Sequence, residues 1–260
     1  MTRLMKHYRI LYVIAWLFLL TLCGPISDAA DARSLNALQP SHADSALRWD
    51  ETNPVHNVNN EVPITPYLPA TAVIIDVGHG GVDGGASHGS LYEKDINLEV
   101  GKRLYALLQS RGIPAIMNRT HDYALSDDNR WHRTSSRHLR DLSQRMGLTR
   151  EIKHVIFVSL HVNSGTPRAH GPLVLHQKSG ESYLLASSIQ TEMNNLYNTA
   201  KRPIAVKTFY VLKHVKSPAV LIELGFISNS EDRARLTSPP EQTNIARSIA
   251  DGISQYFWIN

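Results

Sequence analysis

The sequence predicts an α/β layered domain with a mostly parallel sheet. Short runs rich in β-branched residues at 72–77, 154–162 and 219–224 have the length and composition of buried strands. The segments between them carry apolar residues at helical spacing, and that alternation is the pattern of a sheet covered by helices. Residues 71–260 suffice for one domain with a sizeable core.

In chain order, the first strand is expected over 72–77 (AVIIDV). An amphipathic helix over 95–110 carries Ile96, Val100, Leu104, Leu107 and Leu108 on one face and closes near Gly112. A short strand follows over 113–118. The segment 136–153 places Leu139, Leu142, Met146 and Ile152 on one helix face and many basic groups on the other. The strongest strand is 154–162 (HVIFVSLHV). Further strands are expected at 172–176 and 206–212, with a helix over 182–197 between them. The run 219–224 (AVLIEL) is another buried strand, and 244–257 forms a closing helix.

Upstream of the domain, residues 33–70 read as a linker, because five of the thirteen Pro lie there without apolar periodicity. Residues 1–32 read as an export signal. Arg3, Lys6 and Arg9 precede 14 uncharged residues, Ile10 to Cys23, and small residues follow, with cleavage expected at Ala30-Asp31-Ala32. The apolar run is short of the roughly 20 residues of a spanning helix, and it would act as an anchor only if left uncleaved. Removing it takes away three basic and two acidic side chains, so the formal net charge falls from +4 to +3. No basic run is dense enough for nucleic acid, and membrane contact is expected only through an uncleaved signal. The single Cys, Cys23, leaves with the signal. Disulfide scaffolds, Cys-bound zinc and Cys nucleophiles are thereby excluded.

The chemistry gathers at strand ends, where ligand sites of such sheets lie. The first strand runs into Gly78-His79-Gly80-Gly81, the strongest one ends at His161-Val162-Asn163, and Glu223 lies in the last core strand. Glu93 opens a helix. Two imidazoles and a carboxylate form the ligand set of catalytic zinc, with a fourth position left for water. Asp76 or a backbone carbonyl is placed to orient a ligand imidazole from behind. Each residue also has an ordinary explanation: a loop histidine for His79, a favourable helix-dipole interaction for Glu93. Glu223 is harder to explain so, since an ionised carboxylate in an apolar strand costs several kcal/mol unless paired. The histidines at 132, 138, 154, 170, 176 and 214 show no partner pattern and read as surface or structural.

Four stretches in order, VIIDVGHGG at 73–81, YEKD at 92–95, SLHVN at 159–163 and PAVLIELGFISN at 218–229, resemble the motifs of the zinc-dependent N-acetylmuramoyl-L-alanine amidases of the amidase_3 type. The resemblance covers about residues 72–258. It implies a sheet of about six strands with helices on its faces, His79, Glu93 and His161 as ligands of one zinc ion per chain, and Glu223 as the acid–base carboxylate. Zinc would polarise the amide carbonyl joining the muramic acid lactyl group to L-alanine, and Glu223 would pass a proton from water to the departing amine. Val77 stands where the family commonly has Pro, and Asn163-Ser164-Gly165 departs from its usual pattern at a loop bordering the site. The stretch RDLSQR at 140–145 is similar to one before the third strand of the family. Its Arg140 and Arg145 belong either to a solvated helix face or to a contact with glycan or stem carboxylates.

This larger region is most like the germination-specific, cortex-processing branch of the family. That likeness implies peptidoglycan as substrate, a role in spore cortex maturation through muramic-δ-lactam formation, and work in the forespore intermembrane space. An accessory or activating protein is a further expected partner. The rival readings are a zinc peptidase cutting within the stem peptide and an inert wall-binding or activator module.

Overall fold

Apolar residues on both faces of a strand drive it to the middle of a sheet covered on both sides. The computed structural model describes residues 71–129, 132–152 and 154–259. In it the three apolar runs become adjacent central strands. Strand β1 is Ala72–Val77, and a small antiparallel hairpin of β2 (Ser87–His88) and β3 (Leu91–Tyr92) leads into helix α1 (Glu93–Ser110). Then come β4 (Ala115–Met117), α2 (Arg137–Glu151), β5 (Val155–Asn163), β6 (Leu173–His176) and α3 (Gly180–Tyr197). The chain finishes with β7 (Ile204–Ala205), α4 (Tyr210–His214), β8 (Ala219–Phe226), α5 (Ser230–Thr237) and α6 (Pro239–Ile259).

The main sheet has six strands in the order β4-β1-β5-β8-β6-β7. Every neighbouring pair is parallel except β6 with β8. Side chains alternate across it with period two. Val73, Ile75 and Val77 join one core cluster with residues of α1, α3 and α6, whereas Ala72 and Ile74 join a second with Met146 of α2 and Val211 of α4. Asp76 shares the parity of Ile74, and His161 and Glu223 share that of Phe157 and Leu221 in the second cluster. These three polar groups therefore project towards the α2 side. His161 lies opposite Glu223, and the register shifts just beyond it, between His161 and Asn163.

Several expectations are corrected. The predicted strand at 206–212 is instead a loop following the short edge strand β7, and then the start of α4. Helical geometry lets Val211, Leu212 and Val215 bury together in the second cluster. Gln177 then donates from Nε2 to the carbonyls of Leu212 and Val215 at 2.7 and 2.5 Å, which satisfies groups a strand would have left open at the sheet edge. The closing helix starts at Pro239 rather than near 244, because Pro is well accommodated in a first turn. Helix α5 and the hairpin are unpredicted; the Asn229 side chain caps α5 by accepting from the Glu231 and Asp232 amides. The expected export signal and linker lie outside the described residues. Among the described residues, no helix is long and apolar enough to cross a membrane.

Candidate active site

Beyond β1 the chain turns at Gly78, where any larger residue would collide: a Cβ there would stand 2.5 Å from the Leu160 carbonyl oxygen and 2.7 Å from the His161 ring. His79 follows with a φ of 59°. That left-handed conformation costs of order 1–3 kcal/mol in a non-glycine residue and persists only when the surroundings impose it. Arg145 helps impose it. From beneath the turn its guanidinium donates to the carbonyls of His79 and Val77 at 2.9 and 2.7 Å, and it is itself buried. On the ring, Nδ1 meets Asp83 Oδ2 at 2.8 Å, and Nε2 lies 3.3 Å from Glu93 Oε1.

Glu93 is the first residue of α1, and its carboxylate is buried at 3% exposure. Oε2 accepts from the Ala86 amide at 2.8 Å, and Oε1 from the Val162 amide at 2.8 Å. One turn along the helix, Asn97 donates from Nδ2 to the same Oε1 and to the Gly78 carbonyl, both at 3.3 Å. His161 Nδ1 completes the cluster, 3.0 Å from Oε1. The loop covering it passes at Gly85, with φ of 67°, where a Cβ would stand 2.6 Å from Glu93 Oε2. Ligating atoms of His79, Glu93 and His161 all lie within 4.8 Å of one another, the one such group among the described residues.

The donor chemistry suits a divalent ion such as zinc. Burial opposes the charge on Glu93, yet hydrogen bonds with His161 and then His79 hold its carboxyl well below the usual range. Burial likewise opposes protonation of His79, but hydrogen bonds to Asp83 and Glu93 raise it to about 10. The pocket is thus built for a cation that the carboxylate can share with two imidazoles. Beside it, Glu223 Oε2 is buried with no hydrogen-bond partner among the described residues. Burial pushes this carboxyl up to about 7, against the weaker opposing pull of His161.

The structure therefore brings together His79, Glu93, His161 and Glu223. Asp76 does not join them, which corrects the expectation that it orients an imidazole. Its side chain faces α2, where it accepts from Arg145 at 2.8 Å and from Asn118 and Ser159; Asp83 holds the imidazole instead. Nor is Arg145 a solvated or substrate-facing group. Its nitrogens are spent on Asp76, Asp141 and two carbonyls, and these acids raise its pKa despite burial. Arg140 fastens the loop before α2, donating to the carbonyls of Thr134, Ser135 and Ser126. Asn163 accepts the Ser164 amide on its Oδ1 and the Ile227 amide on its carbonyl, which ties the end of β5 beside β8. Asp83, Asn97 and Arg119 were not foreseen. Arg119 donates to the carbonyls of Val77, Gly78 and Lys94, and burial lowers its pKa to about 10. Of the three, only Asp83 had a sequence signal: a carboxylate four residues past a ligand candidate in a glycine-rich turn.

The family model described as Amidase_3, N-acetylmuramoyl-L-alanine amidase, matches residues 73–255, nearly the whole described domain. The chain belongs to this family. It is an amidase, and peptidoglycan is the substrate that the family implies. The amidase is 36% identical over 193 residues to YqiI of Bacillus subtilis, covering 73% of this chain and 86% of that protein. It is 35% identical over 193 residues to the germination-specific N-acetylmuramoyl-L-alanine amidase of the same organism, covering 73% and 81%. Among solved structures it is similar to the CwlD amidase from Clostridioides difficile in complex with the GerS lipoprotein. That match has a TM-score of 0.67 and 31% identity, over 73% of this chain and 100% of that one.

Proposed function

We propose that the amidase cuts the bond between the lactyl group of N-acetylmuramic acid and the L-alanine of the stem peptide, with zinc held by His79, Glu93 and His161. The observation that carries this is the convergence of three donors from separate elements on one point. Beside that point lies a buried carboxylate oxygen, Glu223 Oε2, with no hydrogen-bond partner among the described residues. When bound, the ion supplies Lewis acidity to the amide carbonyl and eases loss of a proton from water. Glu223 moves the proton: it takes one from the attacking water and delivers it to the L-alanine amine. Burial pushes its carboxyl up to about 7; a cation on the three ligands would draw it lower, leaving near neutrality a carboxylate ready to accept the proton of water. Asp83 keeps Nδ1 of His79 engaged, so Nε2 is the nitrogen presented to the ion.

The biological setting we infer is the spore cortex, where removal of stems precedes muramic-δ-lactam formation, in the forespore intermembrane space. Similarity to the germination-specific amidase supports it, and the CwlD complex with a lipoprotein supports an accessory protein partner. Export by the N-terminal signal would leave a mature chain beginning at Arg33, which N-terminal sequencing reads directly.

Mass spectrometry of peptidoglycan digested by the purified protein tests the bond. An amidase releases intact stems that begin with a free L-alanine amine; a peptidase cutting inside the stem releases shorter ones. Elemental analysis of His161→Ala tests the metal. The variant should fold and lose its zinc, whereas one retained zinc per chain would reject His161 as a ligand.

A further inference from the structure

A groove of about 420 Å³ shares the His79 wall of the site, a volume within the roughly 300–1,000 Å³ of small-ligand sites. Gly80, Val82 and Ala124 give its lining an apolar part, with Val82 75% exposed. Arg137, the first residue of α2, also lines it, with its neighbour His138. Asp83 and Asp141 also line the groove, but both are committed, Asp83 to His79 at 2.8 Å and Asp141 to Arg145 at 2.6 Å. Arg137 is exposed and has no side-chain partner among the described residues. A cation in the first turn of a helix works against the macrodipole, and no acidic residue of that turn offsets it. The groove therefore combines small and apolar side chains with His79 of the site. Its lining also carries the Arg137 cation, which makes no ion pair among the described residues.

We propose that this groove seats the stem peptide leaving the scissile amide, and that Arg137 recognises the free carboxylate of the residue following L-alanine. The inference rests on the amidase reading. A stem peptide offers a small methyl group at its first residue and free carboxylates beyond it, chemistry that suits a groove lined by small apolar residues, by His79 of the site and by an exposed cation. The glycan side offers no such anion, because its lactyl carboxyl is consumed in the amide. Arg137 is thus a specificity residue, reading the charge state of the second stem position.

The test compares muramoyl tripeptides whose second-residue carboxylate is free or amidated, and a third substrate in which only the third-residue carboxylate is amidated. Wild type should prefer the free second carboxylate by roughly tenfold to a hundredfold in kcat/KM, the usual weight of a charge-assisted hydrogen bond. Arg137→Gln should bring that ratio close to one, Arg137→Lys should keep part of it, and Arg247→Gln, on the exposed side of α6, should keep all of it. No preference in wild type, a preference that survives Arg137→Gln, or one that follows the third carboxylate would overturn the assignment. Calorimetric binding of the free stem tripeptides to the purified protein separates the two levels. Carboxylate-dependent binding that Arg137→Gln abolishes, without amide hydrolysis, would sink the amidase reading and keep the groove. Hydrolysis without carboxylate dependence would do the reverse.

Discussion

Asp83 Oδ2 stands 2.8 Å from Nδ1 of His79, four residues before it. Its other oxygen accepts the Gly85 amide at 3.1 Å. One carboxylate thus fixes both the imidazole and the glycine turn that closes over Glu93. The hydrogen bond with His79 holds the Asp83 carboxyl below its ordinary range, so it is an acceptor at neutral pH and the nitrogen facing it carries a proton. Partners of this kind typically contribute 10–100-fold to metal affinity. Asp83→Ala should therefore weaken zinc binding by about that factor in a competition titration with a chromophoric chelator. Asp83→Asn keeps one acceptor oxygen but sets an NH2 where the other stood, against either His79 Nδ1 or the Gly85 amide, so it should recover only part of it. An unchanged dissociation constant in Asp83→Ala would detach this carboxylate from the metal site.

Metal uptake should depend on pH through His79. Its folded pKa, about 10, lies above its ordinary 6.5. The stabilisation this gives the metal-free protein is complete below about 6.5 and is lost as pH rises towards 10. An ion at Nε2 must displace the proton held there. Zinc affinity should rise with pH across this window, with about one proton released per ion near neutrality. Calorimetry in two buffers of different ionisation enthalpy counts that proton, and a count of zero would contradict the shift.

Removing the guanidinium beneath the His79 turn should cost stability. Arg145 pairs with Asp76 at 2.8 Å and Asp141 at 2.6 Å, with both Arg145 and Asp76 buried. Arg145→Met leaves the Asp76 charge without its cation, which typically costs 3–5 kcal/mol. Chemical denaturation should show a loss of about that size. Adding Asp76→Asn to Arg145→Met should return part of it by removing the stranded charge. Equal stability of the two variants would mean that Asn118 and Ser159 alone satisfy Asp76.

How far these features could be read from the chain depends on their range. The central strands were legible because Val73, Ile75, Phe157, Val158, Val220 and Ile222 are buried on both faces of one sheet, and two-sided burial leaves a continuous apolar run. The four residues at the site were legible because each interrupts or ends such a run, or opens a helix. What escaped was set by tertiary contact. The 206–212 segment has strand propensity, but the pocket under α2 and the Gln177 bonds favour a helical turn. Asp76 was expected behind an imidazole because it lies close in sequence to His79. The pleat turns it to the α2 side, and the left-handed turn at His79 brings Asp83 back in its place. Asn97 and Arg119 act by reaching carbonyls of the Gly78 turn, which no spacing announces.

Glu223 separates a catalytic reading from a structural one. Glu223→Gln keeps volume and hydrogen-bonding reach while removing the charge. A carboxylate paired inside the core would lose its partner by this change and cost roughly 3–5 kcal/mol. Among the described residues Glu223 Oε2 has no hydrogen-bond partner to lose, and its carboxyl is already pushed up to about 7 by burial. Neutralising it should leave the fold within about 1 kcal/mol of wild type, or more stable, since an unpaired buried charge is itself costly. Zinc should still bind through His79, Glu93 and His161. Turnover should fall by roughly 10²–10⁴-fold, the share of a positioned acid–base group. In wild type the active carboxylate forms as pH rises, and a cation on the three ligands should draw that acidic limb below 7. In Glu223→Gln the limb should disappear from the pH–rate profile. A stable, zinc-loaded Glu223→Gln protein that still releases stems at the wild-type rate would end the proposed mechanism.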